Sequence, residues 1–165
     1  MAKHQVFFSF EYNKDVWRAS QVRNMGKVSD ESTFSDNDWE EVKEKSDEKI
    51  KEWINDQMKM RSCIVVLVGK STASRKWVKY EIEKAYELNK GIVGIYVHNL
   101  KDQDGNQTDK GDNPFKSVYT NDGEQLSKYV TCFDSYYLSS QNVYNDISEN
   151  MDDLIENAIS NKAPR

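Results

Sequence analysis

Residues 63–69, Cys-Ile-Val-Val-Leu-Val-Gly, form an unbroken apolar run that ends in glycine. A strand with one face in water alternates apolar and polar residues. A run without alternation predicts a strand covered on both faces, as at the centre of a parallel sheet. Residues 92–97 repeat the pattern, residues 5–10 are a shorter aromatic-rich version, and residues 130–133 read as a last strand. Helical spacing separates them. Val16, Trp17, Ala19 and Val22 mark one helix, capped by Asn13 and stopped at Gly26. Trp39, Val42, Ile50, Trp53, Ile54 and Met58 mark a second that starts near residues 35–38, with a solvated Glu/Lys face. A third runs over about 77–90 and is closed by Gly91; a fourth carries Ile147, Met151, Leu154, Ile155 and Ala158. Such alternation predicts an α/β fold with a doubly wound, mostly parallel sheet of four or five strands flanked by helices, residues 64–67 being more buried than 6–8.

The 165 residues read as one domain, 1–165, and 37% hydrophobic with 12% aromatic content is enough for a core without staples. The net charge of −5 argues against nucleic-acid binding, and no apolar run is long enough for a membrane span. Cys63 and Cys132 are the only thiols, His4 and His98 the only imidazoles, and their spacing fits no metal site. The Asp- and Gly-rich stretch 99–114 lacks the spacing of a calcium loop. A reduced, cytoplasmic protein with neither metal nor resident cofactor is expected.

In a doubly wound fold the working crevice lies at the carboxyl ends of the strands. The turn after the first strand, residues 9–15, has no glycine to cradle a phosphate, and no G-x-S-x-G elbow occurs. The helix at 77–90 holds the informative oddity. At about 100° per residue from Trp77, the apolar Leu88, Ala85, Val78 and Ile82 fall between about 20° and 140°, and Glu81 falls near about 40°, inside that stripe. An inward carboxyl must be paired or line a cavity. It is either a functional group or a buried partner of Arg18, Arg23 or Arg75.

Phe8-Ser9-Phe10 followed by Asp15 resembles the first box of TIR domains, and Ser71, Ser74, Trp77 and Glu81 resemble their S…S-x-W-x-x-x-E segment. The chain is more similar still to the TIR-like proteins of bacterial Thoeris anti-phage systems. The shared blocks are 6–12 with Arg23-Asn24, Asp36-x-x-Trp39-Glu40, 75–82, and the loop from Lys101-Asp102 to residues 113–115. Together they span roughly residues 4–115. The stretch 27–38 departs from ordinary TIR domains in showing no clear second strand.

The resemblance implies a flavodoxin-like, TIR-like fold and an enzyme that consumes NAD+ by cleaving its nicotinamide–ribose bond. Glu81 would be the catalytic carboxylate, stabilising an oxocarbenium-like ribosyl centre. Phe8, Ser9, Phe10, Tyr12, Arg23, Asn24, Ser71 and Trp77 are the candidate substrate-binding residues. Several have plainer roles open to them: packing for Phe8, Phe10, Tyr12 and Trp77, a surface ion pair for Arg18 or Arg23, helix capping for Ser71 and Ser74. The product would be a cyclic or conjugated ADP-ribose signal read by an effector protein, with a phage-derived trigger and self-assembly as further expectations. The competing expectation is a non-catalytic TIR-like adaptor with a structural Glu81.

Overall fold

A computed structural model describes residues 3–30, 32–34 and 46–165. The sheet has five strands in the order β2-β1-β3-β4-β5: β1 Val6–Ser9, β2 Thr33–Phe34, β3 Cys63–Val68, β4 Gly91–Tyr96 and β5 Cys132–Phe133. Every neighbouring pair is parallel. Among the described residues four helices flank it: α1 Tyr12–Arg23, α2 Asp47–Lys59, α3 Lys76–Glu87 and α4 Ser140–Ser160. This is the doubly wound α/β arrangement that the apolar runs predict.

Strand periodicity divides the core into two layers. Val6 and Phe8, Cys63, Val65 and Leu67, and Val93, Ile95 and Val97 face α1 and α4, meeting Ala19, Val22, Val143, Ile147, Met151 and Ile155. Phe7, Ile64, Val66, Val68, Ile92 and Tyr96 face α2 and α3, meeting Met58, Val78, Ile82 and Ala85. All six residues of β3 are wholly buried. Each large apolar side chain so buried contributes roughly 1.5–3 kcal/mol. Val6, Phe7 and Phe8 are buried to the same degree, not less. The reason is β2, which pairs with Phe7 and Phe8 and turns β1 from an edge into an interior strand.

That strand corrects the reading of 27–38 as strandless. It is only two residues long, too short for a periodic signal, and is held by the turn before it. Ser32 Oγ accepts from the Val6 N–H at 3.0 Å, and the Ser29 N–H donates to His4 O at 2.9 Å. Helix ends differ from expectation as well. Glu11, not Asn13, is the N-cap of α1, and it makes no side-chain capping bond. α3 ends in a Schellman turn: Lys90 N–H donates to Ala85 O at 2.9 Å and Asn89 N–H to Tyr86 O at 3.1 Å. Asn89 takes the left-handed position at φ 58°, which leaves Gly91 free to open β4. α2 starts at Ser46, whose hydroxyl accepts from the Lys49 N–H. The expected helix start at Asp36, Trp39 and Glu40, with Val42, lies outside the described residues.

The chain leaves β1 to one side for β2 and returns on the other for β3. The switch point therefore lies between β1 and β3, and its crevice opens beyond Ser9 and Gly69. The loop after β4 folds back over this end. Arg18, 3% exposed, fastens it, donating from Nε to Leu100 O at 2.7 Å and from Nη2 to Asn106 O at 2.8 Å. Gly111 lies so close to β3's end that a Cβ there would run into Gly69 O and stand 2.6 Å from Lys70 O. Backbone cannot yield as a side chain can. Gly111→Ala is therefore expected to lose about 1–3 kcal/mol, seen as a melting temperature lower by roughly 2–10 °C in thermal denaturation.

Candidate active site

Glu81 sits on the second turn of α3, on the stripe that carries Val78, Ile82 and Ala85 into the core. It is 2% exposed. The partner is a hydroxyl rather than an arginine: Ser9 Oγ, on the last residue of β1, donates to Glu81 Oε1 at 2.5 Å. Ser9 projects to the α3 side because it follows Phe7 in the two-residue alternation of the strand. The sheet and helix periods thus bring together two polar residues 72 positions apart. Burial raises the Glu81 pKa to about 8, with the Ser9 hydrogen bond pulling against it.

A second polar group lies on the segments that follow β1 and β3. Glu11 is 6% exposed and accepts from Ser71 Oγ at 2.6 Å. Lys14 Nζ donates to the same Ser71 hydroxyl at 3.3 Å, and Arg75 Nη1 stands 3.9 Å from Glu11 Oε1. Below it, the buried Asp15 pairs with Arg18 Nη1 at 2.8 Å. Its other oxygen has no hydrogen-bond partner and packs where a Cβ on Gly69 would be. Burial raises the Asp15 pKa while Arg18 opposes it. The Gly69 N–H is turned to Thr72 Oγ1, at 2.7 Å.

The remaining candidates do not all converge. Phe8 and Phe10 are buried on the opposite face of the sheet, toward α1 and α4, with Tyr12 packed against the same cluster. Arg23 and Asn24 end α1 at the far end of the sheet, about 18 Å of helix from Tyr12. There Arg23 donates to Ser32 O at 3.3 Å. Trp77 is half-buried and packs edge-on to Tyr80 at 5.8 Å, with Lys76 Nζ 4.8 Å from its ring centre. Ser71 and Ser74 do not cap α3, whose N-cap is Arg75; Ser71 instead holds Glu11. Arg18, offered as a partner for Glu81, is consumed by Asp15 and the 100–106 loop. Little in the sequence singles out Glu11 and Lys14, because acids and lysines in a polar stretch read as solvated surface. The one available hint was that Glu11 and Asp15 are four apart on a crevice turn.

Further along the same edge, Tyr96, His98, Lys110, Cys132 and Asp134 form a separate group. Lys110 pairs with Asp134 at 2.7 Å and lies 4.7 Å from the Tyr96 ring centre. Burial lowers the His98 pKa and pushes Cys132 up to about 12, so this thiol is not nucleophilic. Cys63 and Cys132 are both free. Among the described residues no group of His, Cys, Asp and Glu is arranged to hold a metal ion. Nor is any helix among them long and apolar enough to cross a membrane.

A doubly wound parallel sheet with a buried glutamate beside the end of β1 defines a TIR-like α/β protein. The family model for the TIR-like domain of the Thoeris protein ThsB matches residues 7–102, a span that holds both Ser9 and Glu81. A relative from Bacillus cereus (strain MSX-D12), named "Putative cyclic ADP-D-ribose synthase ThsB1", is 39% identical over 137 residues. The match covers 78% of this chain and 71% of that protein. The chain belongs to the Thoeris ThsB TIR-like family.

The Glu81 environment has a consequence for stability. A carboxyl whose folded pKa is raised from 4.5 to about 8 binds more protons folded than unfolded between those values. Stability must then fall as pH rises through that window and level off above it. Glu81→Gln removes the titration. The melting temperature of Glu81→Gln minus that of wild type is expected to widen from pH 5 to about pH 8.5, corresponding to a few kcal/mol at most. A difference independent of pH would show that Glu81 titrates normally.

Proposed function

We propose that this chain cleaves the bond between nicotinamide and ribose in NAD+, with Glu81 as the catalytic carboxylate. The observation that carries the reading is the Ser9–Glu81 pair, a buried carboxyl whose sole close partner among the described residues is a hydroxyl at the switch-point crevice. A ribose hydroxyl offers the same donor, so Ser9 marks where the sugar would dock. The name of the B. cereus relative supports the same chemistry.

The reaction needs one carboxylate, not the pair used by ordinary glycosidases. The C–N bond breaks with its electron pair going to the pyridinium nitrogen, so nicotinamide leaves neutral and needs no general acid. What remains is an oxocarbenium-like ribosyl centre. An anion fixed beside it, in a site closed to water, lowers the barrier by electrostatic stabilisation. With its pKa raised to about 8, Glu81 is mostly neutral at pH 7 in the free protein, and the nicotinamide cation favours its ionised form, so substrate itself calls up the anion. A nucleophilic oxygen or nitrogen of the same molecule, or of an added one, then captures the centre and gives up its proton. The result is a cyclic or conjugated ADP-ribose. Exclusion of water is what favours this capture over hydrolysis.

NAD+ is then a consumed substrate, with no flavin or metal required, and its product is a signal for an effector protein. The setting is the cytoplasm, which fits two free thiols, and the trigger is phage-derived. An adaptor reading would lean on exposed Tyr136 and Leu138, but it leaves the inward carboxyl of Glu81 unexplained.

Mass spectrometry of NAD-derived products, from cells expressing each protein with and without phage infection, tests the proposal. Glu81→Gln should fold and lose product by about 10²-fold or more. Glu83→Gln, two residues on and exposed, should match wild type. A folded Glu81→Gln protein that makes product at the wild-type rate would end the assignment.

A further inference from the structure

We infer that Lys14, Ser71 and Arg75, assembled on the buried Glu11 carboxylate, form a diphosphate-binding subsite next to Glu81. The inference rests on the NAD+ reading for its choice of ligand, and on separate residues for its evidence. Glu11 is two residues beyond Ser9, and Arg75 is six residues before Glu81 on the same helix, so the cluster adjoins the Ser9–Glu81 pair at the same strand ends.

The other cations near this edge are already engaged. Arg18 is locked by Asp15, Leu100 O and Asn106 O. Lys110 pairs with Asp134 at 2.7 Å and Lys76 with Asp47 at 2.5 Å, while Lys70 has a loose contact, 3.7 Å, directed to the exposed Asp109 rather than to Glu11. Lys14 and Arg75 differ. Among the described residues, Lys14 reaches only the Ser71 hydroxyl, and Arg75 has one loose contact, 3.9 Å from Glu11, with its side chain 51% exposed. Glu11 anchors the arrangement, since it orients Ser71 by a 2.6 Å hydrogen bond and draws Arg75 toward the mouth. The one Ser71 proton goes to Glu11, so Ser71 positions Lys14. The Lys14 ammonium and Arg75 guanidinium are the donors that suit the two negative charges and many acceptors of a diphosphate. On a chain with net charge −5, two cations against the single Glu11 carboxylate still leave a local positive excess where an anionic substrate can land.

The division of labour is then plain: Glu81 and Ser9 address the ribose, Lys14, Ser71 and Arg75 the diphosphate. ADP-ribose, which keeps the diphosphate and lacks nicotinamide, is the probe. Titrated calorimetrically into the full chain, it should bind Lys14→Ala and Arg75→Ala each about 10-fold more weakly than wild type. Arg75→Lys should recover part of the loss, and added salt should weaken wild type more than either variant. Glu83→Gln, exposed and outside both groups, should bind ADP-ribose like wild type. In turnover, the two cation variants should raise KM for NAD+ more than they lower kcat.

Wild-type affinity in both Lys14→Ala and Arg75→Ala, with folding intact by circular dichroism, would overturn the subsite, as would a wild type that does not bind ADP-ribose. The Glu81 assignment fails separately. If Glu81→Gln makes product normally while the cation variants lose affinity, the carboxyl's role falls and the diphosphate site stands.

Discussion

A carboxyl held out of water at 2.5 Å from a serine hydroxyl joins β1 to α3, and the crevice is organised around that contact. Its geometry is dictated from beneath. β3 is buried on both faces, so α3 must lay a full apolar stripe, Val78, Ile82 and Ala85, against one of them. Glu81 falls within the same stripe and is carried inward with it. The cost of desolvating the acid is limited by its staying largely protonated and by Ser9. Replacing it with an apolar residue of similar size would relieve that cost. An acid at this place is explained by chemistry better than by stability.

The surroundings keep that acid in place and leave it undercommitted. Arginine would have fixed its charge permanently, yet Arg18 is turned to Asp15 and the 100–106 loop, and Arg75 to Glu11. A carboxyl poised near neutrality can answer an arriving cation, which a salt-bridged one cannot. The loop fastened by Arg18 and pressed on β3 through Gly111 covers the strand ends; in the proposed reaction such a cover would limit the water competing for the ribosyl centre.

Much of this was legible in the chain. Unbroken runs at 63–68 and 92–97 announce interior parallel strands, and the helical wheel puts Glu81 inside before any coordinate is known. Other features left no trace in a one-dimensional pattern. β2 has two residues, and no periodicity can be read from two. Phe8 and Phe10 share a short block with Ser9, but alternation sends them to the other side of the sheet. Arg23 and Asn24 follow the first strand by a helix's length, which removes them to its far end. Glu11 is the N-cap of α1 and Lys14 lies in its first turn, where only the return of Ser71 and Arg75 from sixty residues away brings them into one group. Local spacing reveals which face a residue takes; it does not reveal which distant turn will meet it.

Glu81 is a buried acid with its pKa raised to about 8, and the central proposal is that the substrate ionises it. Carboxyl carbon shifts of ¹³C-labelled glutamate, with the Glu81 signal assigned by its absence in Glu81→Gln, measure this directly across pH. The account predicts a midpoint near 8 for the free protein, moving down when NAD+ is added. A midpoint between 4 and 5, unmoved by NAD+, is the ordinary solvated value and would contradict it.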